Sequence, residues 1–252
     1  LTRLPIAVAV TFLALTFTRP AYAAPEIHNL SLVLSGTPTS VNTGGFNDLI
    51  DQFNRFILEP SGFNSLDEIG FGWLFQAELR YLVRPNVALS AGVGHLKSST
   101  KREYLPLIDQ QVDVRAEILT VPVHVGADYY FAPYTQGDFQ ARPYFGGGVL
   151  SNVYSVATFQ QEQVTPQTGP IFPGGSFTAR STRDSPGFYL QSGAHMFFAA
   201  RYSAMVGVIY REAKIKNLVN TETLEPVVDL LGEPVDLDLS GFGVRMSVGI
   251  GF

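Results

Sequence analysis

Four histidines, His28, His95, His124 and His195, are the residues of this chain best suited to proton transfer or metal binding. Each stands alone in sequence, with no HxxxH or HExxH spacing to place two on one helix face. Cysteine is absent, which excludes disulfides, thiolate chemistry and cysteine-based metal sites. A hydrolase needs a nucleophile, a base and an orienting acid. His95, with Ser98 and Ser99 nearby, is the one position with partial support for that chemistry. The run Gly146-Gly147-Gly148 lacks the lysine and following helix of a phosphate loop and reads as a packed strand. The sequence therefore supports no catalytic residue, cofactor or metal.

A second set of polar residues is more telling, because each member alternates with large apolar neighbours. Gln76, Glu78 and Arg80 share one parity of a strand-like run, with Phe75, Ala77, Leu79 and Tyr81 on the other. His124 and Asp128 do the same among Val121, Val123, Val125 and Ala127, as do Gln191, His195, Arg211 and Arg245 in later runs. The last stretch is the clearest: Phe242, Val244, Met246, Val248, Ile250 and Phe252 alternate with Gly243, Arg245, Ser247, Gly249 and Gly251. A soluble sheet would pack poorly on so much glycine. A transmembrane barrel inverts the order, with the apolar face toward lipid and the small or polar face toward a narrow interior. An arginine facing lipid near mid-membrane would cost ~2–4 kcal/mol. Facing inward, Arg80 and Arg245 can pair with Glu78 or Asp128. Such a charge set either lines a gated solute path or plugs the barrel, and an eight-stranded barrel is just wide enough to be filled by its own side chains.

Composition agrees. The 252 residues are 46% hydrophobic and 15% charged, with 24 Gly and 30 Phe and Tyr, and a mean hydropathy of +0.14. Glycine and aromatics together suit a small barrel with interfacial girdles. Outside the N-terminus no apolar run reaches the ~20 residues of a membrane helix. A pI near 5.4 gives no basic footprint for nucleic acid. The N-terminus reads as a secretory signal peptide over 1–23: Arg3, an apolar core from Pro5 to Phe17, and the A-x-A site Ala21-Tyr22-Ala23. Its removal takes away two arginines and no acid, so the net charge moves from −5 to −7.

From residue 24 onward the pattern predicts one domain of about eight strands of roughly ten residues, the length of a tilted membrane strand. The expected strands begin at Ile27–Gly36 and Phe71–Val83, the latter joined by Arg84-Pro85-Asn86 to a partner from Val87. Leu119–Phe131 follows, with Pro122 implying a bulge. Then come Pro143–Val156, Gly187–Phe198, Tyr202–Arg211 and the C-terminal strand. Loops are expected over 36–68, 97–114, 159–185 and 214–236. The first carries a helix over about 46–58, read from the spacing of Phe46, Leu49, Ile50, Phe53, Phe56 and Ile57. Asp51 and Arg55 can pair on its polar side, and Pro60 ends it. It either covers a barrel mouth or interface, or simply packs its own loop. Long and short connections alternate, so the three short ones and the C-terminus fall on one side.

The stretches TVPVHVGADYYF at 120–131, RPYFGGGV at 142–149 and the final VGIGF resemble the eight-stranded outer-membrane β-barrel family that includes OmpX, OmpW and the OmpA barrel domain. The resemblance covers the chain after the leader and rests on patterns rather than catalytic signatures. It implies an all-β, antiparallel up-and-down transmembrane barrel in the bacterial outer membrane. Implied partners are outer-membrane lipid and lipopolysaccharide, the barrel-assembly machinery through the C-terminal strand with Phe252 as assembly signal, and an extracellular ligand. The implied task is a structural or surface-interaction role through the loops. The alternatives are OmpW-like passage of small, hydrophobic solutes and, third, an outer-membrane hydrolase. The helix in the first loop departs from the tersest members.

Overall fold

The computed structural model describes residues 29–107, 110–137, 139–163, 176–181, 186–198, 201–216 and 218–252. The expected signal peptide, 1–23, lies outside them. Eight long strands form the barrel: β1 Leu30–Ser40, β2 Phe71–Arg84, β3 Val87–Leu107, β4 Gln110–Tyr130, β5 Phe139–Gln163, β6 Pro186–Phe198, β7 Tyr202–Glu212 and β8 Gly241–Gly251. Each pairs antiparallel with the next. β1 pairs with β8 to close the ring, with Leu32 opposite Ile250 and Ser35 opposite Ser247. Closure leaves no sheet edge in the membrane, where unpaired backbone groups would find no water.

The alternation seen in the sequence becomes two faces. On β8, Phe242, Val244, Met246, Val248 and Ile250 are exposed, whereas Gly243, Arg245, Ser247 and Gly249 are buried. Outward aromatics gather at two levels. Phe71, Trp73, Phe75, Phe188 and Phe242 mark one, and Tyr81, Tyr129, Phe131, Tyr202 and Phe252 the other. Ten residues separate Phe242 from Phe252; at ~3.3 Å per residue and ~40° tilt they span about 25 Å, the height of a lipid-facing belt. No helix among the described residues is long and apolar enough to cross a membrane; the crossing is made by strands. The short connections after β2, β4 and β6 lie at one end with the C-terminus.

Several strands run past their expected limits. β1 continues to Ser40 because Thr37 and Thr39 turn inward and are buried, although Gly36 and Pro38 read as loop punctuation. Much of 97–114 is an extension of the β3–β4 ladder, paired from Ser98–Ile118 to Leu107–Gln110. Most of its charged residues face outward, as in the Lys97–Glu117 pair at 3.2 Å and the Lys101–Asp113 pair at 2.6 Å, whereas Arg102 shares the parity of Tyr104 and reaches Ser65 and Asp67 of the first loop. Val112, Val114, Ala116 and Ile118 on the same ladder are buried. Beyond Ser98, where β2 stops pairing, this hairpin adds about 30 Å of strand outside the belt. β5 likewise reaches Gln163, and the short strand Phe177–Ser181 pairs with it inside the expected third loop. Leu218–Asn220 adds to that strand in turn. At Pro122 the register shifts: Val121 faces Tyr154 and Pro122 faces Asn152, which leaves Val153 as the bulged residue on β5.

The first loop holds helix α1, Gly45–Phe53, continued by a wider π-helical turn over Asn54–Leu58. Phe46, Ile50, Phe53 and Leu58 are buried. The ring of Phe53 meets Phe159 edge-on at 5.0 Å, and Phe46 meets Phe177 at 6.5 Å. The helix therefore fills the outer mouth of the barrel between the extended strands. Of the two expected roles, covering the mouth is the one observed.

Candidate functional site

Inside the membrane-level barrel lies a polar layer built from four strands, β2, β4, β6 and β8. Glu78 and Arg80 sit two apart on β2, so both point inward. Arg80 donates to Glu78 Oε1 through Nε at 3.0 Å and Nη2 at 2.7 Å. The same Nη2 lies 3.0 Å from Asp128 Oδ2 on β4. Arg245 of β8 donates through Nη2 to Glu78 Oε2 at 3.1 Å and through Nη1 to Gln191 Oε1 at 2.7 Å. The Gln191 amide donates onward to Asp128 Oδ1 at 2.7 Å. His124 Nε2 is 3.1 Å from Glu78 Oε2. Two carboxylates and two guanidiniums thus form a charge-balanced cluster, all four side chains at most 2% exposed. Burial of one such charge without a partner would be prohibitive; paired and hydrogen-bonded, the set is tolerated.

Below the charges, toward the C-terminal end, the filling turns aromatic. Arg80 Nη1 donates to Tyr130 OH at 2.6 Å, and that hydroxyl lies 2.9 Å from His195 Nδ1. The Tyr144 ring packs 5.9 Å from Tyr130, and the Arg142 guanidinium stacks over Tyr130 at 5.5 Å. Above the charges come Tyr189, Leu150, Ile209, Leu74 and Leu96, continuous with the apolar core around α1.

Interior glycines make this density possible. A Cβ at Gly146 would overlap Asp128 Oδ1, one at Gly126 would overlap Tyr189 OH, and one at Gly92 would come 2.7 Å from His124 Cε1. The Gly146-Gly147-Gly148 run is therefore strand backbone beside two bulky interior side chains.

Glu78, Arg80, His124, Asp128, Gln191 and Arg245 are joined directly, and His195 joins through Tyr130. Gln76 points inward but takes no part in these bonds. Arg211 lies higher and donates through Nε to the Leu239 carbonyl at 2.9 Å. Sequence reasoning passed over Tyr130, Tyr144, Tyr189 and Arg142. Tyr130 shares the parity of His124 and Asp128, which was the available signal. It also missed Asn47 and Asn54. The Asn54 amide donates to Leu66 O at 2.9 Å and accepts from Leu66 N at 2.7 Å. Asn47 treats Ile69 the same way at 3.1 and 3.0 Å.

The hydrolase candidates do not converge. His95 is exposed on the outer face opposite Phe75. Ser98 is buried and donates to the Phe71 carbonyl, while Ser99 is outward, four residues and about 13 Å along the strand from His95. Among the described residues no group of three His, Asp or Glu side chains could hold a metal ion.

No protein-family model matches the sequence, and no curated protein matches it. Solved structures do. Outer membrane protein OprG from Pseudomonas aeruginosa is 13% identical over 91% of this chain and 98% of its own, with a TM-score of 0.50. Neisserial surface protein A is 11% identical over 89% and 97%, with a TM-score of 0.44. The N-terminal β-barrel domain of Pseudomonas aeruginosa OprF is 12% identical over 89% and 98%, at 0.41. The chain has the fold of the eight-stranded bacterial outer-membrane barrels. With its apolar belt and two aromatic girdles, that fold places it in the outer membrane. The fold leaves the task open.

Proposed function

We propose that the protein is a sealed outer-membrane barrel whose work is done by the assembly it raises above the membrane, in a surface-interaction role. The observation carrying this reading is the stacked filling of the lumen: aromatic, then charged, then apolar with α1 in the mouth. The protruding β3–β4–β5 sheet, α1 and the fourth loop then form the functional end. The lipid and lipopolysaccharide of the outer membrane are its surroundings, and the β8 strand ending in Phe252 is the segment offered to the barrel-assembly machinery. Passage of small solutes is the competing reading, favoured by an apolar cleft beside α1.

Single-channel recording in planar bilayers decides between them. The wild type is expected to be silent, and Arg245→Ala, which opens the charged layer, to show discrete openings. Steady openings of the wild type would overturn the sealed-platform reading in favour of passage.

A further inference from the structure

At the outer end of the molecule a cleft of about 350 Å³ separates α1 from the fourth loop. That volume sits at the lower end of the ~300–1,000 Å³ usual for small-molecule sites. Its walls are Leu49, Phe53, Ile57, Phe159, Phe177 and Val227. The far wall is held in place: Gln52 Nε2 donates to Asp229 Oδ2 at 2.6 Å, and Leu230 N donates to Gln52 Oε1 at 2.8 Å.

The charge around this apolar slot is mostly acidic, although Lys214 pairs with Asp238 at 3.7 Å and Arg102 with Asp67 at 3.8 Å. Between 218 and 238 the chain carries six acids (Glu222, Glu225, Asp229, Glu233, Asp236 and Asp238) and no Lys or Arg. Between 41 and 70 it carries five acids against one arginine, Arg55, which lies 3.9 Å from Asp51. Glu225 lines the cleft itself, and its carboxylate makes no ion pair with a described residue. A neutral apolar solute would gain nothing from this potential, and an acid would be repelled by it.

We infer that the cleft between α1 and the fourth loop binds amphipathic cations: a compact apolar body against Phe53 and Phe177, and an ammonium or guanidinium group at Glu225. The inference rests on the reading of the outer assembly as the functional end.

The test uses the whole barrel in lipid nanodiscs, titrated calorimetrically with 4-phenylbutylammonium, 4-phenylbutanol and 4-phenylbutanoate, with empty discs as the blank. The expected order is cation, then alcohol, then carboxylate, with the cation at least about tenfold tighter than the carboxylate. Glu225→Gln should bring the cation and the alcohol to near parity. Leu230→Lys, at a side chain 54% exposed, should weaken the cation about tenfold. Heat-modifiable migration confirms that each variant is folded. Equal binding of the three probes, no binding above the blank, or a cation preference unchanged by Glu225→Gln would overturn the inference. A conducting wild type would sink the sealed-platform reading separately, because conductance does not depend on this cleft.

Discussion

The Glu78 carboxylate and the Arg245 guanidinium, 167 residues apart in sequence, meet at 3.1 Å inside the barrel. The contact forms only once β8 has closed against β1, so it reports ring closure. Glu78 also holds Arg80 and lies against His124, whereas Arg245 shares its load with Gln191. The two positions therefore differ in what their loss leaves behind. Glu78→Ala leaves the buried Arg245 with no carboxylate and Arg80 with Asp128 alone, and should cost about 3–5 kcal/mol. Arg245→Met leaves Glu78 still paired with Arg80 and should cost less. Urea midpoints of the folded, gel-shifted species in vesicles measure both. An Arg245→Met variant less stable than Glu78→Ala would contradict this arrangement.

The interior glycines give a second prediction. A methyl group at Gly146 has nowhere to go without moving Asp128 or the Ala127 carbonyl. Gly146→Ala should destabilise by about 1–3 kcal/mol, as overpacking does. Gly70→Ala, where nothing lies within 4 Å, should stay within about 0.5 kcal/mol of wild type. Equal midpoints for the two would mean the lumen yields at Gly146.

These two cases show what the sequence made legible. Period-two alternation assigned Glu78, Arg80 and Arg245 to the interior because a lipid-facing charge is expensive, and that logic needs no knowledge of partners. It could not say which acid meets which base. Register between β2, β4 and β8 sets that, and register is a property of the closed ring. Alternation puts Tyr130 on the face of His124 and Asp128, opposite Tyr129 and Phe131, but parity does not mark a tyrosine as the partner of Arg80. The hairpin beyond Ser98 was read as loop because its outward face is charged. In water a charged face is ordinary for a strand whose other face, from Val112 to Ile118, is buried.

The helix in the mouth is fastened by side chains that imitate a strand. Asn54 and Asn47 each donate to and accept from the returning backbone, at Leu66 and Ile69. Asn54 and Leu66 are both buried, so Asn54→Ala leaves a backbone N–H and C=O unpaired, at about 1–3 kcal/mol for such groups. Because the cost falls on the loop and not on the ring, proteolysis of residues 59–68 should speed up several-fold while the urea midpoint of the barrel holds. A lowered barrel midpoint with no change in cleavage would show that α1 supports the strands instead.

Acid should loosen the outer wall of the cleft. Asp229 accepts from Gln52, and its other oxygen accepts from the backbone N–H groups of Leu231 and Glu233 at 2.9 and 2.8 Å. The Gln52 amide, and then these backbone donors, hold its carboxyl below the usual aspartate range. A carboxyl with a depressed folded pKa contributes stability that is fully present above its unfolded pKa, near 3.9, and is lost as pH falls through the folded value. The docking of the fourth loop on α1 should therefore be constant from neutral pH down to about 4 and weaken below it. With no native cysteine in the chain, a single environment-sensitive dye at Leu231→Cys reports the loop alone. Its emission should change below pH 4 in this background and stay much flatter when Asp229→Asn is added. A transition of the same size and midpoint in both would assign the acid response to Glu225 or Glu233 and remove Asp229 as the latch.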